Sequence, residues 1–178
     1  MAVEVEIRSF ISQDEYRQLR DFFTKHAEFK GDDEQVTYYF DGKDDLRIQK
    51  NKTNSKIVLK KGAMHAEARD EFEVSCPREE FERLEKLFAA LGYAVRIKWF
   101  RTRHSFDWED IIVTLDYTKG YGYIIELEKV CDFKEKEAVL NVLRQKLASL
   151  KVKQTSKEEF DKKFHHYKEN WKSLVGEK

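Results

Sequence analysis

"VEVEIRSF", residues 3–10, sets Val3, Val5 and Ile7 against Glu4, Glu6 and Arg8. Successive side chains of a strand point to opposite faces, so the stretch predicts a strand with one apolar face and one ionic face. The same division recurs along the chain. Strands are predicted at 34–40, 45–50, 56–61, 67–75, 93–106, 110–117 and 121–130, separated by turns such as Asp41-Gly42-Lys43 and Asn51 to Asn54. Their apolar faces carry Leu46, Ile48, Ile57, Leu59, Phe72, Val74, Ile111, Val113, Leu115, Tyr123, Ile125 and Leu127 and are expected to form the core. Their other faces carry Arg47, Gln49, Lys56, Val58, Lys60, Arg69, Glu71, Glu73, Arg101, Arg103, Thr114, Asp116, Glu126 and Glu128.

A sheet with one wet side is routine, and a single strand of this kind carries no chemistry. The charged face here differs in composition. It is almost wholly ionic, and its acids fall in pairs two residues apart: Glu4/Glu6, Glu71/Glu73 and Glu126/Glu128. Such positions lie roughly 6.5–7 Å apart along a strand and about 5 Å apart across neighbouring strands, where like charges repel. A hard divalent cation, Mg²⁺ or Mn²⁺, neutralises carboxylates while leaving positions for phosphate oxygens. The bases Arg8, Arg47, Lys56, Lys60, Arg69, Arg101 and Arg103 supply donors for phosphate, with guanidinium groups suited to bidentate contact. Gly120 and Gly122 form no phosphate-cradling loop, so side chains must carry the binding.

Helices punctuate the strands. Ser12 with Glu15 reads as a capping box opening a helix that buries Tyr16, Leu19, Phe22 and Phe23 and ends near Ala27. Pro77, the only proline, precedes a second helix with Phe81, Leu84, Leu87, Phe88 and Leu91 on one stripe and Gly92 as terminator. Two helices close the chain at about 133–150 and 156–175, the latter opened by Ser156 with Glu159 and carrying Phe160, Phe164, Tyr167, Trp171 and Leu174. The plan is βαββββαβββαα. Eight strands with short connections predict an α+β fold built on an antiparallel barrel, closed or nearly so, because closure removes exposed edges; two separate sheets are the alternative.

The 178 residues suit one domain, and 34 Lys+Arg against 34 Asp+Glu give zero formal charge. No global basic field recruits nucleic acid. No window approaches the roughly 20 apolar residues of a membrane span and no leader is seen, so the expected location is the cytoplasm. Cys76 and Cys131 lack metal-ligand spacing and read as buried thiols of a reducing compartment. Oligomeric state is not readable.

In this order the charged positions resemble the CYTH domain family, the triphosphate tunnel metalloenzymes, which includes class IV adenylyl cyclases, thiamine triphosphatases and inorganic triphosphatases. Glu4-Val5-Glu6-Ile7-Arg8 is similar to the family's E-x-E-x-K signature, with arginine in place of lysine. The likeness continues through Leu46-Arg47-Ile48, Lys60, Arg69-x-Glu71-x-Glu73, Arg101-x-Arg103, Asp116 and Glu126-x-Glu128. It implies an eight-stranded antiparallel tunnel with a charged interior and helices outside, residues 1–178 forming a single domain. It also implies Mg²⁺ or Mn²⁺ on Glu4, Glu6, Glu126 and Glu128, assisted by Asp116, Glu71 and Glu73. Arg8, Arg47, Lys60, Arg69, Arg101 and Arg103 would grip a triphosphate such as tripolyphosphate, ATP or thiamine triphosphate, with Lys56 as a further contact. Glu126, Glu128 and Lys60 would take the catalytic roles. The expected reaction is metal-dependent triphosphate hydrolysis; cyclisation of ATP to cyclic AMP and pyrophosphate, or binding without turnover, are the alternatives.

Two positions depart from the family pattern. Gln49 stands where many members carry a second base, and His104 stands where an aromatic hydroxyl is usual. His104 lies on the face opposite Arg103 and is expected to be structural. The adjacent His165 and His166 point about 100° apart on a helix and do not converge on a metal.

Overall fold

The computed structural model describes residues 2–61 and 71–177. In chain order it contains β1 (Ala2–Ile11), α1 (Gln13–His26), β2 (Glu28–Phe40), β3 (Asp45–Lys50), β4 (Asn54–Lys60), β5 (Glu71–Pro77), α2 (Phe81–Ala90), β6 (Val95–Trp108), β7 (Ile111–Thr118), β8 (Gly122–Asp132), α3 (Lys136–Ser149) and α4 (Lys157–Val175). This is the order of elements the sequence predicts. The start of α1 is the predicted capping box: the Glu15 amide donates to Ser12 Oγ and the Ser12 amide donates to Glu15 Oε2 at 2.6 Å.

The eight strands form one sheet in the order β1-β8-β7-β6-β2-β3-β4-β5. Among the described residues the order is linear, so the closed barrel expected from the sequence is not formed there. Alternation reports which side of a strand is wet and says nothing of whether the first and last strands of a ladder meet. Closure also requires a stagger between strands that no local pattern encodes. Among the described residues, no helix is long and apolar enough to cross a membrane.

The chain divides into two compact units, each considered by itself. The first comprises Met1–Asp32 and Thr102–Tyr167. Its core joins Val5 and Ile7 of β1, Ile111, Val113 and Leu115 of β7 and Ile125 and Leu127 of β8 to Tyr16, Leu19 and Phe23 of α1 and Leu143 and Leu147 of α3. The strand positions are the predicted apolar faces, and α1 and α3 cover them. Side chains of Leu or Ile size buried this completely contribute about 1.5–3 kcal/mol each. His104 lies on this covered side, its ring centroid 6.3 Å from that of Tyr16.

The second unit comprises Asp33–Arg101 and Lys168–Lys178. Phe40, Ile48 and Phe81 form its centre, with Val36, Tyr38, Leu46, Ile57, Leu84 and Phe88 packed around them. Predicted core residues lie outside it: Phe72 and Val74 of β5 are 54% and 60% exposed, and Leu87 and Leu91 at the end of α2 are exposed as well. β5 is the last strand of the order, and α2 packs over β3, so alternation on β5 marks an apolar face that no described element covers. Val58 behaves in the opposite way. It stands on the ionic face between Arg47 and Glu73 in register yet is only 2% exposed, because long polar side chains can cover apolar surface with their stems. Cys76 and Cys131 are free thiols, both half-buried instead of buried as expected.

Candidate functional site

Register decides which ionic residues of the first unit meet. β8 lies between β1 and β7, with Arg8 opposite Glu126 and Glu126 opposite Thr114. One rung along, Glu6 stands opposite Glu128. Glu4, Glu6, Arg8, Glu126, Glu128 and Asp116, read from three separate stretches of sequence, thus share one face of a three-strand ladder. Glu4, Glu6 and Arg8 are exposed, whereas Glu126 and Glu128 in the middle strand are half-buried. Burial, and then the charges of Glu4 and Glu6, push the Glu128 carboxyl above its usual pKa, against a smaller opposing effect of Arg103. The repulsion expected from paired acids is therefore present.

Arg103 of β6 reaches the same face. Its Nε donates to Asp116 Oδ1 at 2.8 Å and its Nη2 to Oδ2 at 2.7 Å, a bidentate pair, with Glu126 Oε1 3.9 Å from Nη2. Burial alone would lower the Arg103 pKa, but the hydrogen bonds and charge of Asp116, with Glu126 and Glu128, carry it above its ordinary value. Asp116 is 4% exposed. Expected to assist a metal, it here gives both oxygens to Arg103 and so fixes the plane of that guanidinium.

Residues that sequence reasoning missed complete the end of this face. Phe10 has the same parity as Glu4, Glu6 and Arg8, a signal that was available in the alternation. The Arg8 guanidinium lies over the ring of Phe160 of α4, 4.8 Å from its centroid, and Phe160 packs on Phe10 at 4.6 Å. α4 therefore reaches the ionic side of β1. The connection into it is tied to β1: Ser9 Oγ donates to the Lys153 carbonyl at 2.6 Å, and the Phe10 amide donates to Thr155 Oγ1 at 2.9 Å. These bonds set where α4 begins.

In the second unit, Arg47 of β3 stacks on Tyr39, donates to its hydroxyl at 3.2 Å and lies 3.6 Å from Asp45. Lys56 of β4 donates to Glu73 of β5 at 2.8 Å. Lys60 stands opposite Asp45 on one side and Glu71 on the other in backbone register. Arg101 of β6 is half-buried. Arg69 lies outside the described residues.

Among the described residues, no three His, Cys, Asp or Glu side chains converge on one point. The chemistry of the donor set nonetheless suits a hard divalent ion: Glu4, Glu6, Glu126 and Glu128 are oxygen donors on adjacent rungs, and Glu128 is strained by its neighbours' charge. Thr114 Oγ1, buried beside Glu126 in register and without a hydrogen-bond partner among the described residues, is a further oxygen on that face.

Comparison with known proteins places this geometry in context. The model of the CYTH domain matches residues 2–164. A curated Methanocaldococcus jannaschii protein named "Putative adenylate cyclase" is 27% identical over 108 residues, 60% of this chain and 62% of that protein, so the matched stretch spans under two thirds of the relative. A solved Pyrococcus horikoshii protein superposes with a TM-score of 0.67 at 24% identity, covering 85% of this chain and 92% of that one. A Bacillus halodurans structure with the same cyclase designation superposes with a TM-score of 0.63 at 16% identity, over 86% and 92% of the two chains. These structures share the fold.

Proposed function

The chain belongs to the CYTH domain family, and from that premise we propose that it binds a linear triphosphate with a divalent cation and hydrolyses its terminal phosphoanhydride. The family in general depends on divalent metal and takes triphosphates as small-molecule ligands. The observation that carries the reading is the Arg103 fork, held flat by buried Asp116 beside the carboxylates of Glu126 and Glu128. A fixed cation next to surplus negative charge suits a ligand that is itself a phosphate–metal pair.

Glu4, Glu6, Glu126 and Glu128 would hold Mg²⁺ or Mn²⁺. When bound, the ion withdraws charge from phosphate oxygens. Arg103 and Arg8 would contact those oxygens. Arg47, Lys56, Lys60, Arg69 and Arg101 are the remaining proposed phosphate ligands, on the strength of the family's order of charged positions, with Lys60 stabilising charge on the leaving group. Glu128 or Glu126 would accept the proton of a water whose oxygen attacks the terminal phosphorus as the bond to the diphosphate breaks. Because most of the work is positioning and electrostatics, Arg8 acts as a fixed charge and not as a base. We place the activity in the cytoplasm, where free Cys76 and Cys131 stay reduced.

The name of the M. jannaschii relative favours a second reading, in which the 3′ hydroxyl of ATP attacks its α-phosphorus and pyrophosphate leaves. Incubation with tripolyphosphate, ATP and thiamine triphosphate, each with Mg²⁺ or Mn²⁺, separates the readings. Phosphate release from one of these triphosphates supports hydrolysis, and cyclic AMP with pyrophosphate supports the cyclase. Tight binding without product reduces the function to recognition.

A further inference from the structure

A cavity of about 360 Å³ lies in the first unit where α1 meets the end of α3 and the connection that follows it. We propose that it binds a small carboxylic acid with an apolar body, an acyl chain or a single ring, at a place separate from the triphosphate site.

Leu19, Phe22, Trp108, Leu150 and Val152 form its walls. Leu19, Trp108 and Val152 are buried members of the core over the apolar face of the sheet, and Phe22 and Leu150 pack against that core. The sheet therefore stands between the cavity and the face of Glu4, Glu6, Glu126 and Glu128. Its aromatic walls are held in place: Phe22 meets Trp108 edge-on at 5.8 Å, and Lys146, paired with Glu109, lies 4.5 Å from the centroid of the Trp108 ring. Apolar walls around a volume within the roughly 300–1,000 Å³ usual for small-molecule sites suit an apolar body.

The polar lining selects the head group. Ser149 Oγ donates to the Lys146 carbonyl at 2.7 Å, and Glu15 Oε2 accepts from the Ser12 amide at 2.6 Å, where the N-terminus of α1 offsets its charge. Both are committed to helix ends. Gln18 and Lys151 have no side-chain partner among the described residues, so an amide and an ammonium are the donors left at the mouth. They suit an anionic acceptor, which a carboxylate is. Lys151 also stands at φ 60°, the left-handed position just past α3 where glycine is the usual residue. A lysine held there at conformational cost brings to the cavity an ammonium that glycine lacks.

Calorimetry with the full chain tests this with octanoate, phenylpropanoate and their neutral alcohols, in wild type, Lys151→Gly and Leu150→Trp. Glycine suits the left-handed backbone, so Lys151→Gly should melt no lower than wild type. At least one acid should bind wild type with a Kd at or below about 1 mM, about fivefold or more tighter than its alcohol, and that difference should vanish in Lys151→Gly. Octanoate as the tighter acid assigns an acyl chain, phenylpropanoate a ring. Leu150→Trp, which fills the cavity, should abolish binding; if that variant does not fold, the indole N–H resonance of Trp108 in wild type decides, shifting when the acid occupies the cavity. Binding of neither acid, equal binding of acid and alcohol, or an unmoved Trp108 resonance overturns the site. Tripolyphosphate with Mg²⁺ should leave the acid's affinity within about twofold, and displacement of the acid would place it on the ionic face and overturn the proposal while leaving the triphosphate reading standing.

Discussion

Both oxygens of the Asp116 carboxylate accept from the Arg103 guanidinium, at 2.8 and 2.7 Å, and the acid is 4% exposed while the base keeps 23% of its side chain in solvent. The buried partner holds the accessible one. Arg103→Ala leaves Asp116 as an uncompensated buried charge, and removing one member of a buried pair costs about 3–5 kcal/mol, reduced here to about 2–3 because Arg103 is partly hydrated. Arg8→Ala, at an exposed position, should cost under about 1 kcal/mol. Urea melts of the two variants test the contrast, and equal midpoints would remove the structural role given to the pair.

Arg103→Lys keeps the charge and loses the fork. A lysine cannot span two carboxylate oxygens and present donors in a fixed plane, so triphosphate affinity should fall roughly tenfold or more with a smaller stability change than Arg103→Ala. Titration of tripolyphosphate with a divalent ion reads the affinity.

Glu4→Gln and Glu128→Gln should each lower turnover by about two orders of magnitude or more if these carboxylates hold the ion, with far-ultraviolet circular dichroism unchanged. Full activity in both variants would sink the assignment.

The raised pKa of Glu128 gives a stability test that needs no substrate. Its folded carboxyl binds a proton more tightly than the unfolded one, so its favourable contribution is complete below about pH 4 and is lost as pH rises through the raised folded value. At pH 7 ionised Glu128 therefore destabilises the metal-free fold. Glu128→Gln should raise Tm at pH 7 by about 1–3 °C, with the gain vanishing on acidification. Mg²⁺ or Mn²⁺ should raise the wild-type Tm more than that of the variant.

The ring of Phe160 is a positioning surface for Arg8. Phe160→Leu keeps most of the apolar volume and removes the cation–π contact, so KM for the triphosphate should rise about 2–5-fold with kcat unchanged. A fall in kcat with KM constant would argue against positioning.

Exposure predicts a further contrast within the strands read as core. Phe72→Ser and Val74→Ser should each change stability by less than about 0.5 kcal/mol, whereas Ile48→Ala should cost about 2–5 kcal/mol. All three residues share the same alternation in sequence, and only their cover differs.

The order of elements, the capping box at Ser12 and Glu15, and the two faces of β1, β7 and β8 were legible in the sequence, because each depends on groups within one turn or one strand. So was the family, carried by the spacing of charges along successive strands. Register was not. That Arg8 faces Glu126 and Glu6 faces Glu128, that Arg103 is locked to Asp116, and that α4 brings Phe160 to Arg8 and Phe10 are relations between residues up to about 150 positions apart. Alternation likewise could not say that no described element covers β5, or that among the described residues the sheet does not close on itself. Local periodicity records the environment of one face of one strand; which charges neutralise one another depends on which strands pair and at what offset, and only tertiary packing sets that.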